Sequence, residues 1–177
     1  VREAVEHARL AGDRRAVTRN QMSFAIAALY GPMPVPEAVR LCEQIVADVG
    51  GDRRAEGVVL GAMAHLNATA GEFELARLQY GRARQILEDL GGRLMAATVS
   101  LDSGRVELLA GRPDSAEREL RHDYDILLEI DERYALSTVA ALLAAAVHQQ
   151  GRTEEALVLT VASEDAAADD DVESQNL

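Results

Sequence analysis

The chain has no lysine and no tryptophan, and aromatic residues make up only 3% of its 177 positions. All 18 basic residues are therefore arginines, which codon bias in a GC-rich genome explains more simply than a set of phosphate clamps. Without lysine the chain cannot form the Gly-x-x-x-x-Gly-Lys loop of a nucleotide site. The scarcity of aromatic residues, beside many Ala, Leu and Val, favours close-packed helices over an aromatic-rich sheet.

Cysteine occurs once, at Cys42, so no disulfide can form within the chain and a reducing cytoplasm is the expected location. Arg40 is offset by Glu43, which favours a buried structural thiol over a reactive one at this position. The longest apolar stretch, 135–147, is too short to span a bilayer.

Basic residues are fewer than acidic ones, 18 against 30, so the net charge is −12. Such a field repels nucleic acids and anionic membranes, and we expect this segment to bind neither directly. Six of the acids lie in 164–177, which has no basic residue. That segment lacks the glycine and the final glutamate of an EF-hand, so Asp169, Asp170 and Asp171 are interpreted as first-turn acids of a further helix.

Glycines recur at a fixed interval. Gly31, Gly71, Gly111 and Gly151 stand 40 residues apart, which indicates a stacked-repeat architecture. A second set of turn signals alternates with them, at Gly12-Asp13, Gly51-Asp52, Gly91-Gly92 and Asp131-Glu132. Glycine ends a helix with a left-handed cap and aspartate begins one, so each interval should hold two antiparallel helices. The pattern predicts an all-α fold without strands.

These turn signals divide the chain into parts. Residues 1–13 are predicted to end a preceding repeat helix, and 164–177 to form an acidic linker and the start of a truncated next helix. Between them four helical hairpins are predicted, at 14–50, 51–91, 92–131 and 132–163. The turn from Gly31 to Pro36 contains three prolines and is longer than its counterparts, so the helix after it should be shorter. Both ends of the chain are expected to be cuts within a longer protein.

The turn sequences resemble tetratricopeptide repeats. The similar segments are GEFELA at 71–76, GRPDSA at 111–116 and GRTEEA at 151–156, and seven residues before each glycine stands Ala64, Gly104 or Ala144. The resemblance implies a right-handed α-solenoid of stacked antiparallel hairpins. Its period of about 40 residues departs from the family's usual length of about 34.

The longer, Ala/Arg/Leu-rich form is similar to helical-repeat regions of large bacterial signalling proteins, namely transcriptional activators of the maltose-activator or LuxR type and multidomain nucleotide cyclases. This resemblance implies a non-catalytic interaction and sensor scaffold, which binds a partner protein, a peptide, a small effector or other domains of its parent chain. The alternative is a purely structural spacer or a homo-oligomerisation module, such as one that forms a homodimer. No catalytic, cofactor or metal motif is visible, and the run His122-Asp-Tyr-Asp125 fans out around a helix.

The resemblance also implies a concave face on the first helix of each hairpin. Counting from the glycines places Gln21, His65, Arg105 and Gln149 there, with His148 beside the last. These five residues are the predicted contacts for a partner or effector. The competing interpretation is that the groove is narrow and serves only as packing.

Overall fold

The computed structural model describes residues 2–167 and is helical throughout its regular structure, with no strand in that range. The predicted acidic residues Asp169 to Asp171 and the predicted next helix lie outside the described residues. The nine helices of the described range are α1 (Arg2–Leu10), α2 (Arg14–Tyr30), α3 (Val35–Asp48), α4 (Arg53–Thr69), α5 (Phe73–Asp89), α6 (Arg93–Leu109), α7 (Pro113–Glu129), α8 (Arg133–Gln149) and α9 (Thr153–Ala166). The all-α prediction is confirmed.

Short turns separate the helices at the predicted places. Gly71, Gly111 and Gly151 all have positive φ, which only glycine adopts without strain. Asp131 takes the same left-handed conformation where the other turns carry glycine, with φ of 53°. Asp13 and Asp52 cap the following helices, since their carboxylates accept hydrogen bonds from the backbone N–H of Ala16 and Ala55.

The turn after Gly31 departs from this pattern. Gly31 has φ of −89° and an extended ψ, so the chain leaves α2 without the left-handed cap of the other marker glycines. A Cβ atom at this position would lie 2.6 Å from the carbonyl oxygen of Ala27, so close approach explains the glycine here. The chain then runs extended through Pro34, and α3 has 14 residues where α2 and α4 have 17. The predicted shortening of this helix is confirmed.

The chain divides into two compact units, with the boundary between Gly92 and Arg93. In unit 1, consecutive helices from α1 to α5 pack against one another, and α2 also contacts α4. Its interior centres on α4, whose small residues Gly57 and Ala64 allow the neighbouring helices to approach closely. A Cβ atom on Gly57 would lie 3.1 Å from side-chain atoms of Ile86 and Leu87 on α5.

In unit 2, consecutive helices from α6 to α9 pack against one another, and α6 also contacts α8. The apolar stretch 135–147 forms most of α8, which is buried on nearly all sides because α6, α7 and α9 surround it. Fully buried Leu120, Leu127 and Leu143 fill the interior. Gly104 on α6 lies against Leu120 so closely that an added Cβ atom would be 2.6 Å from the leucine Cγ. The stretch is therefore a core helix.

Candidate functional site

The five predicted contact residues differ in their exposure. Gln21 on α2 is buried, and His65 on α4 is half-buried; both belong to unit 1. In unit 2, Arg105 on α6 is half-buried, whereas His148 and Gln149 are exposed in the last turn of α8. Nothing in this distribution tests whether they form one binding surface, which stays a prediction.

Other positions of the predicted concave face serve as packing. Ala25 is fully buried in α2, Gly61 is buried in α4 and Thr138 is buried in α8. Within each unit the predicted face is thus interrupted by residues that hold neighbouring helices together.

A cleft opens beside Gln21, between α1 and α3 over the floor provided by α2. Its volume is about 430 Å³, which falls in the range of small-molecule sites. Four of its lining residues are apolar, and five carry acidic, basic or amide side chains. The lining residues are Val5, Glu6 and Arg9 from α1, Gln21 and Phe24 from α2, and Leu41, Gln44, Ile45 and Asp48 from α3.

Two side chains in this cleft donate hydrogen bonds to the same carboxylate oxygen of a third residue, Asp48. The Arg9 guanidinium donates to Oδ2 of Asp48 over 2.9 Å, and Nε2 of Gln21 donates to the same atom over 3.2 Å. Gln21 is only 4% exposed, whereas the Arg9 and Asp48 side chains are 57% and 52% exposed. The buried amide therefore orients a carboxylate that remains accessible to solvent.

Counting positions drew attention to Gln21 but missed Arg9 and Asp48. Gln21 stands ten residues before its marker glycine, where the later repeats carry Gly61, Leu101 and Ala141, so it is the polar exception in that series. Arg9 and Asp48 lie 39 residues apart. Opposite charges about one repeat apart, on successive second helices, are the signal that could have identified them.

Unit 2 holds a denser polar cluster between α7 and the α8–α9 turn. The Glu117 carboxylate accepts hydrogen bonds from the guanidinium groups of Arg121 and Arg152 and from the amide of Gln150. Both arginines also donate to Glu155, over 2.7 Å from Arg121 and 2.5 Å from Arg152. The Glu117 side chain is only 14% exposed.

The ionisation of this cluster follows from its hydrogen bonds. Burial raises the pKa of Glu117, but hydrogen bonds from Arg121, Gln150 and Arg152 outweigh it and lower the pKa to about 2. Hydrogen bonds from the two arginines likewise lower the pKa of Glu155. Each charged group has an opposite charge within hydrogen-bonding distance. These contacts link α7 to the start of α9, and the cluster is called the unit 2 clamp below.

Other chemically active residues fall into packing roles or onto the surface. Cys42 is fully buried, and burial together with the nearby Glu43 charge raises the pKa of its thiol to about 11. The predicted burial of this thiol is confirmed. In the run from His122 to Asp125, Asp123 is buried while His122 and Asp125 are exposed. Across residues 2–167 no three His, Cys, Asp or Glu side chains are grouped so that they could hold a metal ion.

The helices of the described range were also compared with the requirements of a membrane span. Among them, none combines the length and the apolar character needed to cross a bilayer.

No model of a known protein family matches the chain. No curated protein sequence matches it either.

Proposed function

We propose that the chain is a non-catalytic interaction scaffold, a tetratricopeptide-like segment of a larger bacterial signalling or transcription-regulatory protein. In this proposal its hairpins stack as a right-handed α-solenoid and its cleft in unit 1 contributes to the binding of a partner. The resemblance of the turn sequences supports the family. The regular alternation of helices and left-handed turns, and the contacts of α2 with α4 and of α6 with α8, are compatible with stacking.

The observation that carries the binding role is the cleft around Gln21. A buried amide holds an accessible carboxylate in a cleft that also offers apolar side chains, and ligand sites combine polar and apolar groups in this way. Packing alone does not explain a polar residue at Gln21, because the equivalent positions later in the chain carry glycine, leucine or alanine. Cellular location in the cytoplasm belongs to the same proposal.

Site-specific photo-cross-linking tests the binding role. A benzophenone amino acid replaces Gln44, which is exposed and lines the cleft, and in the control it replaces Glu43, which is exposed on α3 and does not line the cleft. We expect a reproducible cross-link to one protein or to another domain of the parent chain from position 44 alone. Equal cross-linking from both positions, or none from position 44, would contradict a binding role for the cleft.

The alternative function, a spacer or homodimer module, has an observation of its own. Leu157, Val158 and Val161 form an apolar strip on α9 and are each more than half exposed. Such a strip favours association with another apolar surface. Sedimentation velocity tests this: a concentration-dependent dimer that is lost in Val158→Glu, and kept in Thr160→Glu as the control on the same helix, would support the alternative. A monomer at all concentrations would remove the homodimer and leave only the spacer.

A further inference from the structure

The charge of the unit 1 cleft indicates what kind of ligand it would accept. Of its charged lining residues, Glu6 and Asp48 are acidic and Arg9 is basic, so the cleft carries a net negative charge. The whole chain, with a net charge of −12, adds a field of the same sign. An anionic group would meet repulsion here, and a cationic group would be attracted.

The position of Asp48 makes it the anchor for such a group. Its Oδ2 atom is held by Nε2 of Gln21, which is buried and therefore orders the carboxylate before a ligand arrives. Its second partner, Arg9, is more than half exposed. An ion pair between such exposed groups contributes little to stability, so a ligand cation can take the place of the guanidinium at small cost.

The apolar walls determine the remainder of the ligand. Val5 and Ile45 are buried, and the side chains of Phe24 and Leu41 are half-buried, so the cleft offers apolar surface that is only partly covered. A hydrocarbon body placed against these residues would be removed from water. The cleft volume of about 430 Å³ accommodates an aromatic ring with a short chain.

We infer that the cleft binds an ammonium or guanidinium group attached to an apolar body, with Asp48 as the counter-ion. This inference rests on the proposed binding role of the cleft and adds the chemical class of what enters it. The same chemistry could come from a small amine or from a basic side chain of a partner protein. Both sources place a cation at Oδ2 of Asp48 and hydrocarbon against Phe24 and Leu41.

Three probes of one shape test the inference. They are 3-phenylpropylammonium, the neutral 3-phenylpropan-1-ol and the anionic 3-phenylpropionate. Titration into the isotopically labelled chain is followed by NMR at the side-chain amides of Gln21 and Gln44, which line the cleft. We expect the cation to bind at least tenfold more tightly than the anion, with the alcohol between them, and its affinity to fall as salt is added.

Variants separate the role of Asp48 from general charge. Asp48→Asn should weaken binding of the cation at least fivefold and leave that of the alcohol within twofold, whereas Asp114→Asn, an exposed acid of unit 2, should change neither. Glu6→Gln is the second variant, used if Asp48→Asn does not fold, and it should weaken cation binding two- to threefold. Equal binding of the three probes, tighter binding of the anion, or no effect of either cleft variant would overturn the inference.

Competition then identifies the source of the cation. If excess 3-phenylpropylammonium suppresses the cross-link formed from position 44, the cation belongs to the captured partner; if it binds without suppressing the cross-link, the ligand is a free amine. If the cross-link from position 44 forms but the cationic, neutral and anionic probes bind equally, the binding role of the cleft is kept and the proposed class of ligand is overturned. The two proposals can therefore fail separately.

Discussion

The two units connect their successive second helices in different ways. In unit 1, α1 and α3 flank α2 and are joined across it by one exposed ion pair, Arg9 with Asp48, beside an open cleft. In unit 2, α7 and α9 flank α8 and are joined by two arginines and two glutamates that all interact. The same pair of helix positions is thus linked by a dense polar network in unit 2 and by an exposed ion pair beside a cleft in unit 1.

The difference follows from burial. Glu117 in unit 2 is 14% exposed and accepts hydrogen bonds from three side chains, whereas Asp48 in unit 1 is about half exposed and accepts two. Charged hydrogen bonds gain strength where water is excluded, and exposed pairs are screened. We therefore expect the stability of unit 2 to depend on its polar cluster and that of unit 1 to be nearly independent of its ion pair.

The largest expected effect comes from the packing beneath the unit 2 clamp. In Gly104→Ala the new Cβ atom would lie within 3.0 Å of three side-chain atoms of the fully buried Leu120. Overpacking of this kind costs about 1–3 kcal/mol, and the better helix propensity of alanine returns up to about 1 kcal/mol. Because three Leu120 atoms would lie closer than 3.0 Å, the overpacking cost should fall near the upper end of that range, and we expect a net loss of about 2 kcal/mol in the free energy of unfolding, measured by urea denaturation.

Two glycines of unit 1 provide controls. Gly57 has neighbours no closer than 3.1 Å and Gly81, on exposed α5 surface, has none within 4 Å. Gly81→Ala should stabilise by up to about 1 kcal/mol through helix propensity alone, and Gly57→Ala should fall between the two. A Gly104→Ala protein as stable as the wild type would show that α6 and α7 can separate without cost.

Breaking the clamp itself should have the next largest effect. Glu117→Gln removes the charge that both Arg121 and Arg152 contact, and hydrogen bonds to charged groups are worth about 1.5–3 kcal/mol before solvent screening. Because the arginines are about 40% exposed, we expect a smaller loss of about 1–2 kcal/mol in urea denaturation.

An exposed pair on the same helix provides the matched control. Asp114→Asn removes the partner of Arg118, and both side chains of that pair are mostly exposed. Its effect should stay below about 0.5 kcal/mol. If the Glu117 and Asp114 variants lose equal stability, the network confers nothing beyond an ordinary surface ion pair.

Acid should open the clamp in a defined pH range. The pKa of Glu117 is lowered from an ordinary value of 4.5 to about 2, so its stabilisation is fully present above pH 4.5 and is lost as the pH falls toward 2. The difference in the free energy of unfolding between wild type and Glu117→Gln should therefore fall by at least half between pH 5 and pH 2.5, which corresponds to about 1 kcal/mol. Thermal unfolding of both proteins at several pH values measures it, and an unchanged difference would exclude the carboxylate as its source.

The helices could be predicted from local sequence, because glycine and aspartate act within one turn. The turns between the helices lie where the glycine and aspartate signals predict them, and α3 is shorter after the proline turn, as expected. Local rules failed at Gly31, where the close carbonyl of Ala27 and not a left-handed φ requires glycine. That requirement becomes visible only when the path of the following turn is known.

The candidate site was less predictable, because it depends on residues of different repeats. Gln21 could be found as a polar exception in a repeated position, but its partner Asp48 and the second donor Arg9 come from other helices. The same applies to Glu117, whose partners Gln150 and Arg152 follow more than 30 residues later. A count from the marker glycines gives the register of a side chain, whereas its burial depends on which neighbouring helix covers it.

The smallest expected effect on stability lies at the cleft and completes the comparison. Arg9→Ala removes an exposed partner of Asp48 and leaves the hydrogen bond from Gln21, so the free energy of unfolding should change by less than about 0.5 kcal/mol. The same variant should bind 3-phenylpropylammonium two- to fivefold more tightly, because the ligand no longer competes with a guanidinium for Oδ2 of Asp48.

These two measurements on Arg9→Ala distinguish a contact that stabilises the packing of α1 and α3 from one that borders a ligand site. A loss of stability as large as that of Glu117→Gln would mean that the Arg9–Asp48 pair holds α1 against α3 as the unit 2 network holds α7 against α9. Weaker binding of the cation would mean that Arg9 shapes the cleft and does not occupy the ligand's place. We expect unchanged stability and tighter binding. That result would mean that Gln21 orients the Asp48 carboxylate, while the Arg9 guanidinium competes with the ligand cation for it.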